Sequence, residues 1–233
     1  MKIEEKGMII KVSKEDKMSE SLLIGMLLAF VGGYLDIYSY LARGKVFANT
    51  QTGNLVLLGY NIAQGDMKKV IYYLLSISAF IVGVWLAKII EHKFKGGKYF
   101  YWLHMILVIE ISTLFMVMLI PEGAFNVLAN MILSFVCAMQ VQSFRKVNGK
   151  AYSTVMFTGN LKNLAEQASH YYITKETEAL ETSLIYLSII VMFVMGGWLG
   201  ALTTIEYHVK AVGLINIVLA IVLILLYQEK RKI

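Results

Sequence analysis

Apolar residues run through this chain in blocks of about 18–21, separated by short polar stretches. A helix of that length crosses roughly 30 Å of hydrocarbon. Six blocks meet this length, near residues 22–41, 70–90, 100–120, 124–144, 183–204 and 211–228. Pro121-Glu122-Gly123 predicts a tight turn between the third and fourth. Tyr99, Phe100, Tyr101 and Trp102 beside Lys98 predict an interfacial anchor. Two further segments contain the same tripeptide, Thr-Gly-Asn, at 52–54 and 158–160. The first continues as an apolar stretch from Asn54 to Ala63, about 15 Å as a helix, or half a bilayer. The second places Leu161, Leu164, Ala165, Ala168 and Tyr172 at helical spacing among Lys162, Glu166 and His170. That pattern predicts an amphipathic helix, which does not span lipid alone.

Charge decides between two topologies. If both Thr-Gly-Asn segments crossed the membrane, ten Lys/Arg would lie on one side and eleven on the other, with no bias. If each segment dips in and returns to its own side, one side collects seventeen and the other five. The positive-inside rule selects the second arrangement and puts both termini in the cytoplasm of a cell (plasma or inner) membrane. Composition agrees: 58% of the 233 residues are hydrophobic and 16% are charged. The net charge of +6 is then orientation charge and not a nucleic-acid footprint. A single cysteine, Cys137 in an apolar block, excludes a disulfide framework.

The chain reads as a duplication. Phe-x-x-Gly-x-Trp-Leu-small occurs at 80–87 (FIVGVWLA) and at 193–200 (FVMGGWLG), each after its own Thr-Gly-Asn. The second interval is seven residues longer, a surplus assigned to the acidic stretch 175–181. Three spans per half is an odd number, so the halves are expected to be inverted relative to each other. The expected fold is all-α and integral to the membrane. It has six transmembrane helices, two re-entrant or half-length helices, and an inverted three-plus-three repeat. The units are a tail at 1–20, a first repeat at 21–120, a second at 124–228 and a tail at 229–233. Gly83-x-x-x-Ala87 and Gly196-x-x-x-Gly200 predict close helix packing, with Trp85 and Trp198 as core aromatics.

The stretches GGYLDIYSYL, TGNLVLLG, AMQVQSFRKVNGKAY and MFTGNLKNLAE resemble the YoaK-like family of bacterial membrane proteins. The resemblance covers the chain from about residue 22 onward. Ser143-Phe144 stands where smaller residues are usual in that family. The resemblance implies the membrane class and carries no biochemistry.

A non-helical tip at half depth survives only if protein or a watery cavity surrounds it. Thr52 or Asn54 is expected to cap the first short helix, and Gly65 to end it. Two opposed helix N-termini near the midplane favour an anion or a polar solute. The expected substrate-binding set is Thr52, Gly53, Asn54, Thr158, Gly159 and Asn160, joined by Gln140 and Gln142. Intramembrane Asp36 and Glu110 are candidate proton carriers, because buried carboxylates are costly unless used. Asp36 has an alternative role in bonding freed backbone groups of the tip. The four histidines show no metal-ligand spacing, and no phosphate loop or nucleophile motif occurs. No cofactor or metal is expected. The leading expectation is a transporter or channel for a small polar or anionic solute, with lipid and solute as partners. A non-transporting scaffold, in which Thr-Gly-Asn only caps helices, stands second. An intramembrane enzyme stands third.

Overall fold

A computed structural model describes residues 18–94, 99–154 and 157–230. The helices are α1 (Leu22–Ala42), α2 (Gln51–Gln64), α3 (Met67–Phe94), α4 (Tyr99–Leu119), α5 (Asn126–Ser143), α6 (Phe157–Thr174), α7 (Thr177–Tyr207) and α8 (Val212–Lys230). A two-stranded ribbon, β1 (Lys146–Val147) and β2 (Lys150–Ala151), precedes α6. A short 3-10 turn, His208–Ala211, joins α7 to α8. Among the described residues, five stretches are long and apolar enough to cross a membrane: Leu22–Ala42, Met67–Phe94, Trp102–Leu119, Asn126–Ser143 and Thr177–Gln228. The last takes in α7 and most of α8. The protein is therefore an all-α, multi-pass membrane protein.

The interior forms where small residues let backbones touch. α1 runs parallel to α7: Phe30 lies against Gly196, Gly33 against Phe193 and Gly197, and Tyr34 against Gly200. α3 and α5 pair in the same sense, with Ser76 at Ser134, Gly83 at Phe135 and Ala138, and Glu91 at Arg145. α4 and α8 pack on each other and close the bundle. Each close pair thus joins a helix of the first half to one of the second. The chain between α1 and α3 begins and ends at the C-terminal end of α1. The chain between α5 and α7 stays at the N-terminal end, where Asn148 N donates to Glu20 O at 2.6 Å and Val147 touches Gly25.

Trp85 and Trp198 are 66% and 63% exposed, which corrects their assignment to the core. The glycine two positions earlier faces the neighbouring helix, and two residues at 100° each carry the indole to the opposite side. Trp102, expected at the interface, is instead buried in the main core. Lys98 and the side chains of Tyr99, Phe100 and Tyr101 lie outside the described residues, as do residues 1–17 of the expected tail.

Arg43, which the charge count treats as a flanking cation, is fully buried. Its Nε donates to Tyr38 Oη (3.0 Å), Nη2 to Val117 O (2.9 Å), and Nη1 to Pro121 O (3.3 Å) and Asn126 Oδ1 (3.4 Å). The guanidinium fork pins the end of α1 to the α4–α5 turn, which the point charge of lysine does not reproduce. Arg43→Lys is expected to cost about 2–4 kcal/mol, because carbonyls of the turn lose their donors. Thermal unfolding in detergent checks this.

Ser76 and Ser134 hydroxyls bond at 2.6 Å, both buried. Their counterparts in the other close pair are Ile189 and Ala29, also buried. The site accepts an apolar pair, so the double variant Ser76→Ala/Ser134→Ala is expected within about 0.5 kcal/mol of the parent. Either single variant costs about 1 kcal/mol by stranding a hydroxyl. A double-mutant cycle of unfolding midpoints measures the difference.

Candidate functional site

The two Thr-Gly-Asn segments are built alike. After α1, Gly44 and Lys45 take positive φ (88° and 65°) and turn the chain back along its own helix. Phe47 stacks on Tyr40 with ring centroids 4.9 Å apart. The Asn54 side chain then closes the loop: its Oδ1 accepts from Phe47 N (2.9 Å) and its Nδ2 donates to Phe47 O (2.8 Å). In the second half the Asn160 side chain accepts from Ser153 N (3.3 Å) and donates to Ser153 O (2.7 Å). The partner lies seven residues upstream in both. Both asparagines are buried.

A second bond recurs in register. Tyr73 Oη donates to Lys45 O (3.2 Å), and Tyr186 Oη donates to Ala151 O (2.9 Å). α2 and α6 start at corresponding residues, Gln51 and Phe157. α6 has 18 residues against 14 for α2, and α7 has 31 against 28 for α3. Together these differences supply the seven extra residues. The surplus is thus spread over both arms of the α6–α7 hairpin and is not confined to 175–181.

The capping expectation is revised. The residue before α2 is Thr50, and it makes no side-chain cap bond. Asn54 serves the loop and not the helix end; it also donates to Gln51 Oε1 (3.0 Å). Gly65 does end α2, at φ 71°. Thr52, Thr158 and Gly159 are exposed and Gly53 is half-buried, so each tripeptide turns asparagine inward and threonine outward.

Asp36 holds the first tip. Its Oδ1 accepts from Asn49 N (2.7 Å) and Thr50 N (3.2 Å), and its Oδ2 accepts from Thr50 Oγ1. Ser39 Oγ accepts from Ala48 N (2.9 Å), and Asn49 Nδ2 donates to Gly32 O (3.3 Å). Loop amides that no helix satisfies are thereby paired. The first tip sits against residues 32–39 of α1. The second tip reaches the same level, because Phe157 packs on Phe193 at 3.9 Å and Phe193 abuts Gly33. α2 packs against α3 and α6 against α7.

Beside this level lies a buried polar centre. Glu110 of α4 is 1% exposed; its Oε1 accepts from Gln140 Nε2 of α5 at 3.2 Å. Glu110 Oε2 has no partner among the described residues. Cys137 of α5 is buried and faces the Asn49 side chain of the first tip. Gln142, two residues past Gln140, is half-buried on another face and does not join them. Sequence reasoning missed Tyr73, Tyr186 and the backbone of Phe47 and Ser153, although the paired tyrosines recur in register and were readable as a third repeated motif.

Helices of this length and apolarity, with close small-residue seams, define a multi-pass helical membrane protein. The chain belongs to the family described as protein of unknown function (DUF1275), whose model matches residues 24–225. It is 28% identical over 188 residues to the UPF0700 transmembrane protein YoaK of Bacillus subtilis (strain 168), a match covering 78% of this chain and 83% of that one. No solved structure matches.

Proposed function

We propose that the protein is a six-span carrier or channel for a small polar or anionic solute. In this reading α1, α3, α4, α5, α7 and α8 cross the membrane, and α2 and α6 are re-entrant half-helices. The two halves are inverted, both termini are cytoplasmic, and the membrane is the bacterial cell membrane. The observation that carries the reading is the twin asparagine closure of Asn54 and Asn160. It starts two short helices at one level of α1 while their other ends leave toward opposite ends of the bundle. Polar backbone at such depth requires a polar path or protein around it. Thr52, Gly53, Thr158 and Gly159 then face the solute, and Glu110 with Gln140 forms the polar centre beside them.

Asp36 is better suited to holding the loop than to carrying a proton, since both of its oxygens are engaged. The same observation favours the second reading, a non-transporting membrane partner in which these residues only build tips. Light scattering from proteoliposomes separates the two. With chloride, nitrate, phosphate, urea and glycerol as probes, at least one is expected to move faster than in empty vesicles. Thr52→Val and Thr158→Val should slow it at least tenfold without shifting the unfolding midpoint. Flux equal to empty vesicles for every probe would leave the partner reading in place.

A further inference from the structure

The two half-helices differ on their outward faces. α2 presents Val56 and Tyr60, which are 68% and 60% exposed. The corresponding residues of α6 are Lys162 and Glu166, with side chains 78% and 62% exposed and 3.9 Å apart. α6 starts at the level of Gly33, the twelfth residue of the 21 in α1. At 1.5 Å per residue, Lys162 lies about 8 Å and Glu166 about 14 Å from that start. Half of a hydrocarbon core is about 15 Å. Both charges therefore face outward at hydrocarbon depth, where lipid strongly disfavours them. Side chains on a helix lean toward its N-terminus, here the membrane centre, so Lys162 points away from its nearer surface. Val56 and Tyr60 meet lipid with no such penalty.

We propose that a second copy of this chain covers the outward face of α6. The face carries one cation and one anion a single turn apart, so it is complementary to its own two-fold image. In the pair, Lys162 of each copy meets Glu166 of the other. An isologous contact of this kind closes as a dimer. A one-signed partner or an anionic headgroup matches only half of the face. The α2 face stays in lipid. The inference rests on the half-span placement of α6 and extends it to assembly.

The test uses two differently tagged full-length copies in native membranes, both carrying Cys137→Ala. One bears Lys162→Cys and the other Glu166→Cys. Mild oxidation is expected to link the two tags at twice the chain mass, and a Val56→Cys/Tyr60→Cys pair is expected to give no link. In the cysteine-free background, Lys162→Glu should lower the paired fraction at least tenfold, and Lys162→Glu/Glu166→Lys should restore it. Lys162→Cys that reacts with an aqueous thiol reagent but links to nothing would overturn the proposal. So would links to a protein of another mass, or a paired fraction indifferent to charge reversal. Flux in proteoliposomes tests the transport reading separately.

Discussion

Asn54→Leu is expected to destabilise the protein by about 2–4 kcal/mol, and Asn160→Leu by a similar amount. Leucine keeps the volume and removes the amide. In each case one N–H and one C=O of the loop, those of Phe47 or Ser153, lose their partner. A partly buried backbone group left unpaired costs about 1–3 kcal/mol. Thr52→Ala and Thr158→Ala, on the outward side of the same tripeptides, should stay within about 0.5 kcal/mol. Thermal unfolding in detergent of the four variants reads this contrast. Equal effects at threonine and asparagine would mean that the asparagine closure does not hold the tips.

Gly33→Ala and Gly196→Ala carry the other large expected effect. A Cβ at Gly33 would land on the carbonyl oxygen of Phe193, and one at Gly196 on that of Phe30. The obstacle is backbone in both cases, so no side chain can rotate away. α1 and α7 must separate, and the seam through Tyr34 and Gly200 opens with them. That seam also positions the hydrogen bonds of Tyr34 Oη to Thr203 Oγ1 and Ala211 O, both 2.7 Å. Overpacking of this kind costs about 1–3 kcal/mol where side chains yield, and more where they cannot. Each variant is expected to lose 3 kcal/mol or more, on the order of the upper end of that range, or to fail to accumulate. Gly159→Ala is the control: its Cβ meets nothing within 4 Å. It should be neutral or stabilising by up to about 1 kcal/mol, the helix propensity gained over glycine. Detergent-extracted yield and unfolding midpoint together measure the series.

Much of the fold was legible because apolar run length and small-residue spacing are local signals. The glycines of the two Phe-x-x-Gly-x-Trp-Leu motifs were read as packing faces, and they lie on backbone of the opposite half. The tryptophans were misread because a large aromatic suggests a core, whereas the lipid-facing side of a membrane helix is equally apolar. The role of Asn54 was not legible. Its partner is the main chain of residue 47, which is Phe in one half and Ser in the other, so side-chain identity carries no trace of the bond. Arg43 was hidden for the same reason, since three of its four acceptors are two carbonyls and a tyrosine oxygen with no spacing rule. Glu110 was identified as a buried carboxylate, but its link to Gln140 depends on the α4–α5 contact, which only the folded chain supplies.

The central claim is that two half-helices, one from each face, bring their Thr-Gly-Asn tips to one level inside the membrane. Depth by spin-label power saturation tests it in lipid bilayers, with labels on cysteines placed at Thr52, Gln64, Thr158 and Thr174 in a Cys137→Ala background. The account predicts that the labels at 52 and 158 share one depth near the bilayer centre, with those at 64 and 174 at opposite surfaces. Labels at 52 and 158 lying at headgroup depth, or labels at 64 and 174 on the same surface, would contradict it.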